Sequence, residues 1–129
     1  MLQQLSIQNF AIIDELKVDF QPQLNTITGE TGAGKSILLG ALGLVLGNRA
    51  DSSSLQNREK KCIVEAVFST ATHKKVNTWL KENEIDEEPE LILRREITAN
   101  GKSRAFINDT PVNLTQLKVL TSMLVDLHQ

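Results

Sequence analysis

The chain has 129 residues, of which 40% are hydrophobic and 23% are charged, a composition typical of one soluble globular domain. Fourteen Lys and Arg oppose sixteen Asp and Glu, and the formal charge of −2 excludes a strongly basic domain that holds nucleic acid through bulk charge. The one cysteine excludes an internal disulfide framework and is typical of a buried small hydrophobe in a reducing compartment. We see neither a signal peptide nor a membrane-spanning stretch, and therefore expect a cytoplasmic protein without membrane contact.

The first half of the chain is predicted to be β-rich up to one helix. Two strands fall within the first twenty residues, the second of them alternating from Leu16 to Phe20. Residues 24–28 form a third short β-prone run that stops at a glycine. Residues 36–46 predict a helix that is apolar on nearly every side and hence buried, with Gly47 and Asn48 as its stop.

The second half alternates further strands with two helices. Residues 62–68 predict a strand and residues 73–83 a helix, followed by an acidic run to residue 90 that predicts a solvated loop. Residues 91–97 and 103–108 flank Asn100 and Gly101, a strong hairpin signal. Asn113 and Gln116 are spaced as an amide version of the capping box at a helix start. The final apolar run has no polar tail after it, which predicts that the chain is part of a longer protein.

One motif carries the chemistry. It matches G-x-x-x-x-G-K-[ST] at every fixed position and consists of Gly29, Glu30, Thr31, Gly32, Ala33, Gly34, Lys35 and Ser36. The glycines let successive backbone N–H groups turn toward a phosphate, and the following helix adds the positive end of its dipole. Lys35 is predicted to reach the β- and γ-phosphates, the Ser36 hydroxyl to bind Mg²⁺, and Ile37 to complete the site. The motif therefore predicts nucleoside triphosphate binding.

Hydrolysis requires more than this motif, namely an acid that binds Mg²⁺ at the end of an apolar strand and a group that positions water. Residues 122–126 are the candidate strand, with Asp126 as the acid. If this is a Walker B strand, the chain is a complete small NTPase or nucleotide kinase. The absence of a second acid after Asp126 favours an ordinary strand instead. A third interpretation is a nucleotide-gated assembly module without catalysis.

The sequence around the motif resembles the N-terminus of the RecN family, bacterial DNA-repair relatives of the SMC ATPases. The resemblance lies in residues 5–13, in residues 24–38 with Thr-Gly-Glu-Thr-Gly-Ala-Gly-Lys-Ser, and in residues 41–50, 94–97, 101–108 and 124–128. It implies an α/β P-loop fold of the ABC/SMC ATPase head type, with residues 1–129 as the N-terminal lobe. A mixed sheet would hold the helix after the P-loop, and the N-terminus and residues 61–108 would contribute an antiparallel β portion.

The resemblance also implies that a coiled coil and a C-terminal lobe, with the signature motif, Walker B acids and switch histidine, lie outside this chain. Two heads of a homodimer would enclose ATP and Mg²⁺, and the whole protein would act on DNA in double-strand-break repair and recombination. The chain alone is then expected to bind ATP without turning it over. Gln129 is a candidate for the glutamine that touches Mg²⁺ and the attacking water, although relatives commonly read Asp-hydrophobic-His-Gly-Gln and this chain reads Asp-Leu-His-Gln.

Two further sets of residues have open assignments. Asn9 is either a nucleotide contact or an amide that serves the turn after its strand. Arg49 follows the P-loop helix, where related heads carry basic residues that contact DNA or the γ-phosphate side, and a solvated loop arginine is the alternative. A basic face is the corresponding hypothesis for the cations of the β portion, Lys60, Lys61, Arg94, Arg95, Lys102 and Arg104.

Overall fold

The computed structural model describes residues 2–20, 32–50, 53, 55–69 and 73–126. Within these residues the chain forms six strands and three helices. In chain order they are β1 (Leu2–Phe10), β2 (Ile13–Asp19), α1 (Gly32–Val45), β3 (Cys62–Ser69), α2 (Lys74–Glu82), β4 (Glu90–Ile97), β5 (Ser103–Ile107), β6 (Thr110–Val112) and α3 (Leu114–Asp126).

The described strands form one sheet in the order β2-β1-β3-β4-β5-β6, and each neighbouring pair is antiparallel. This confirms the antiparallel portion that was expected from the N-terminus and residues 61–108. The predicted strand at residues 24–28, and with it the parallel part of the expected mixed sheet, lies outside the described residues.

Alternation along the strands gives the sheet two unlike faces. In β3 and β4 every second side chain is buried, because one face of the sheet is covered by the helices while the other is half-exposed. The covered face is the core of the molecule, and its fully buried side chains include Leu5, Ile7, Val64, Leu93, Ile97 and Ile107. Cys62 belongs to the same face, as predicted. Burial raises the pKa of its thiol to about 11, against an opposing effect of nearby Arg95, so the thiol is protonated and unreactive at neutral pH.

Helix α1 lies on this covered face. It begins at Gly32, four residues before the predicted start, and ends at the predicted stop. Gly47 has a φ of +108°, and the N–H groups of Gly47 and Asn48 donate to the carbonyls of Leu44 and Gly43 at 3.2 and 2.9 Å. This is a Schellman termination, in which glycine supplies the left-handed residue.

The prediction that this helix is buried all round is wrong. Ala41, Leu44 and Val45 are buried, but Leu39 is 59% exposed. Since α1 packs on the sheet with one side only, its opposite apolar side faces outward in the part of the chain that the structure describes.

The helix predicted at residues 73–83 is confirmed as α2, with Val76 and Leu80 buried. The hairpin is confirmed as β4 and β5 around Asn100 and Gly101, and the acidic residues after α2 are exposed. One strand was missed. Asn108 and Asp109 both have positive φ, at 48° and 66°, and form a two-residue turn that returns the chain as β6.

The capping box is confirmed at the start of α3. The Asn113 side chain accepts from the Gln116 N–H at 2.8 Å, and the Gln116 side chain accepts from the Asn113 N–H at 3.0 Å. The strand predicted at residues 122–126 is wrong, because these residues are the last turns of α3. The buried residues Leu117, Leu120 and Leu124 follow a helical spacing into this segment, and that spacing outweighs the short apolar run. None of the described helices is long and apolar enough to cross a membrane.

Candidate functional site

The first turn of α1 coincides with the second half of the P-loop motif. Its backbone runs from Gly32 through Lys35 and Ser36. The first N–H groups of a helix have no partner within it, and the start of α1 at Gly32 places its first turn within the motif that is predicted to cradle phosphate. The first turn carries no acidic residue, so the positive end of the helix dipole is not compensated by a side chain there. Backbone donors and the positive partial charge of a helix start thus coincide with the motif.

The remaining predicted ligands differ in what the structure shows. Ser36 is exposed, as a hydroxyl that reaches a solvated cation has to be, and Ile37 is half-buried against the core. Gly29, Glu30, Thr31 and Gln129 lie outside the described residues. No group of three or more His, Cys, Asp or Glu that would hold a metal ion occurs among the residues that are described.

The amide of Asn9 is occupied by the backbone of the loop before β3. Its Nδ2 donates to the carbonyls of Asn57 and Lys60 at 2.8 and 2.9 Å and to that of Lys61 at 3.3 Å. Its Oδ1 accepts from the Asn57 N–H at 2.6 Å, and the side chain is 4% exposed. Asn9 itself has a φ of +56°, a conformation that asparagine adopts more readily than most residues. These are the contacts of a turn amide that fastens the end of β1 to a loop.

We expect Asn9→Asp to destabilise the fold by about 3 kcal/mol or more, because a carboxylate oxygen would face three carbonyls that now accept from Nδ2. Urea unfolding measures this loss. Asn100→Asp is the matched control, since Asn100 is exposed and its Oδ1 acts as an acceptor that aspartate retains. A loss of Mg-ATP affinity in Asn9→Asp without a loss of stability would instead assign Asn9 to the nucleotide.

Two cations of the expected basic face, Arg94 and Lys61, are paired with acidic side chains. Arg94 pairs with Asp109 at 3.0 Å and with Glu96 at 3.2 Å, and its guanidinium lies 4.3 Å from the centre of the Phe106 ring. Lys61 pairs with Glu96 at 3.2 Å. These ion pairs offset the charges of Arg94 and Lys61 on the half-exposed face, while Lys60, Lys102 and Arg104 are exposed. Arg49, in contrast, is exposed in the segment after α1, consistent with both of its interpretations.

Arg95 was grouped with these cations, and this is wrong. It is 0% exposed and lies on the covered face, whereas Arg104 stands opposite Glu96 in the strand register and lies on the other face of the sheet. Its guanidinium donates to the carbonyls of Leu44 and Asn48 at 2.8 and 2.9 Å. Burial lowers its pKa from the ordinary value, and the Cys62 thiol opposes that shift. Alternation along β4 marks position 95 as inward-facing, and this alternation outweighs the usual preference of a charged side chain for solvent.

Comparison with known sequences gives one family over nearly the whole chain. Residues 1–126 match the RecF/RecN/SMC N-terminal domain. DNA repair protein RecN of Vibrio cholerae is 49% identical over 128 residues, which cover 99% of this chain and 23% of that protein. The chain thus spans about a quarter of the length of the curated relative it matches.

Solved structures agree on the fold. An SMC ATPase, from a study of ATP-driven dimerization and DNA-stimulated activation, superposes with a TM-score of 0.73 at 17% identity, over 96% of this chain and 79% of that one. The Smc head domain of Pyrococcus yayanosii, solved with a coiled coil and joint, gives a TM-score of 0.70 at 17% identity, over 94% of this chain and 25% of that one. At such low identity these likenesses establish a shared fold alone.

Proposed function

This chain belongs to the RecF/RecN/SMC N-terminal domain family, and from that premise we propose that it is the ATP-binding N-terminal lobe of a RecN-like ATPase. The proposed role of the whole protein is DNA double-strand-break repair and recombination. Such a role places it with the nucleoid in the cytoplasm. The name of the Vibrio cholerae relative, at 49% identity, supports the repair assignment.

One observation carries the nucleotide assignment. The first turn of α1, which begins at Gly32, is formed by residues of the P-loop motif, so the backbone N–H groups of a helix start lie within that motif. Donors grouped in this way, at the positive end of a helix, fit the oxygens of a triphosphate. Gly29, Glu30, Thr31 and Ile37 complete the proposed binding segment.

Two oxygen ligands are proposed for Mg²⁺, the Ser36 hydroxyl and the side chain of Gln129. When bound beside a triphosphate, Mg²⁺ neutralises charge on the β- and γ-phosphates. The exposure of Ser36 fits this role, because hydroxyl oxygen is a ligand that Mg²⁺ accepts and the group is open to a solvated ion. Lys35 would add a cation on the γ-phosphate side.

The length of the matched relative supports the proposal that the N-terminal and C-terminal lobes supply different parts of the ATPase head. Since this chain covers 23% of the Vibrio cholerae protein, we propose that a coiled coil and a C-terminal lobe complete the head. That lobe would supply the signature motif and the catalytic acids, and two heads would enclose ATP between them. In this arrangement ATP controls head engagement and thereby DNA handling. ATP-driven dimerization of an SMC ATPase with the same fold supports the idea.

The proposal is tested by measuring Mg-ATP affinity and steady-state phosphate release on one sample of this chain. We expect binding without turnover, because the signature motif and the catalytic acids of hydrolysis belong to the proposed second lobe. Turnover that disappears in Asp126→Asn would identify a complete small NTPase. Light scattering that rises with Mg-ATP, without phosphate release, would identify a nucleotide-gated assembly module. Absence of binding would overturn the proposed function.

A further inference from the structure

The strongest feature outside the P-loop is the wholly buried Arg95. Its Nη1 donates to the Leu44 and Asn48 carbonyls at 2.8 and 2.9 Å, and its Nη2 donates to the Ser103 hydroxyl at 2.6 Å. An arginine is rarely found fully buried unless its charge is compensated by such bonds. Here the compensation comes entirely from oxygen atoms at the end of α1 and from one hydroxyl on β5. This guanidinium therefore joins α1 to two strands of the sheet.

The end of α1 is held by bonds of two kinds. The Schellman termination pairs the Gly43 and Leu44 carbonyls with N–H groups of the same chain segment. Side chains from other elements donate the remaining hydrogen bonds. Arg95 donates to the Leu44 and Asn48 carbonyls, and Thr121 of α3 donates to the Leu46 carbonyl at 3.0 Å. Of Arg95 and Thr121, only Arg95 connects α1 to the sheet, because Thr121 belongs to α3. Its positive charge also lies at the negative end of the helix dipole.

We propose that Arg95 is a positioning residue for the nucleotide, which it serves through α1 and not by contact. This inference rests on the proposed ATP binding at the first turn of that helix. Helix α1 packs on the sheet mainly through apolar side chains such as Ala41, Leu44 and Val45, and apolar contact is non-directional. The directional bonds from Arg95 to the C-terminal end of α1 fix the rotation and axial position of the helix relative to the sheet. Because α1 is a continuous helix, they also fix where its first-turn N–H groups stand.

The geometry requires arginine specifically. A planar guanidinium reaches oxygen atoms on two sides at once, whereas a lysine ammonium is a single point donor. Ser103 begins β5, and its hydroxyl accepts a hydrogen bond from Nη2 of Arg95. This bond orients the guanidinium so that Nη1 faces the Leu44 and Asn48 carbonyls. Replacing Arg95 by Lys preserves the charge but removes the planar guanidinium. Replacing Ser103 by Ala keeps the guanidinium but removes the hydrogen bond that orients it. Both variants weaken the bonds of residue 95 to the end of α1 while a positive charge stays in the core.

The test compares Mg-ATP dissociation constants of this chain by calorimetry, with the unfolding midpoint of each variant recorded alongside. Arg95→Met is expected to weaken Mg-ATP binding about tenfold, the scale of one lost charge-assisted hydrogen bond. Arg95→Lys is expected to restore part of that loss, and Ser103→Ala to weaken binding by about threefold. The matched control is Thr121→Val, which removes the Thr121 bond to the same helix end from a residue that is 4% exposed. It is expected to lower stability while the Mg-ATP affinity stays within about twofold of the parent chain.

Two results overturn the proposal. The first is unchanged affinity in both Arg95→Lys and Ser103→Ala, which decides the question even if Arg95→Met does not fold. The second is a loss of affinity in Thr121→Val as large as in the Arg95 variants at a comparable midpoint, because stability alone would then account for all of them. A parent chain that binds no Mg-ATP is a different failure, which removes the proposed function and this inference with it.

Discussion

Replacing Lys35 by alanine is expected to raise the Kd for Mg-ATP about tenfold to a hundredfold. Lys35 is the motif lysine, and the structure places its backbone in the first turn of α1. Loss of a hydrogen bond to a charged group costs about 1.5–3 kcal/mol, which is the free energy of such a change in Kd. Titration calorimetry on the purified chain measures it directly.

Lys102→Ala is the matched control for this experiment. Lys102 is an exposed lysine in the turn between β4 and β5, so its removal makes the same change of charge and size away from α1. Its Kd is expected to equal that of the parent chain. Equal weakening in both variants would show that net charge decides affinity, and an unchanged Kd in Lys35→Ala would refute the P-loop assignment.

Leu93→Ala is expected to lower the free energy of unfolding by about 2–5 kcal/mol, the range for a leucine removed from a packed core. Leu93 is 0% exposed and lies in β4 between Ala66 of β3 and Ile107 of β5. The covered face of the sheet cannot close around the missing atoms without moving one of these strands. Urea denaturation followed by circular dichroism gives the value.

Leu39→Ala makes the same chemical change at the opposite extreme of burial. Leu39 is 59% exposed on the outward side of α1, and its truncation is expected to change stability by less than about 0.5 kcal/mol. A large loss in Leu39→Ala would show that this side is covered in solution. A small loss in Leu93→Ala would contradict the sheet register described above.

Local patterns predicted most of the elements correctly. The hairpin at Asn100 and Gly101, the capping box at Asn113 and Gln116 and the stop at Gly47 each depend on backbone geometry within a few residues. The prediction at residues 122–126 was wrong because a short apolar run fits both the two-residue period of a strand and the 3.6-residue period of a helix. Residues 122–126 satisfy a strand as readily as a helix, and the decision came from the buried positions earlier in α3.

Local sequence patterns do not predict the environments of two polar residues, Asn9 and Arg95. Asn9 bonds to carbonyls about fifty positions away in the chain, and Arg95 bonds to the end of a helix at a similar separation. Neither partner adjoins its residue in sequence. Both residues therefore suited an exposed functional role as well as a buried structural one until the sheet order was known.

The sequence by itself determined the family, the P-loop motif and the hairpin of β4 and β5, because each depends on residues that are close together in the chain. Only the tertiary structure decided which cations are exposed and which end of α1 is tied to the sheet. Burying a charge is unfavourable unless specific acceptors meet it, and those acceptors are assembled by strand order and helix packing. Arg95 is accordingly a core residue of this protein, and Arg94, next to it in the chain, lies on the opposite face of the sheet.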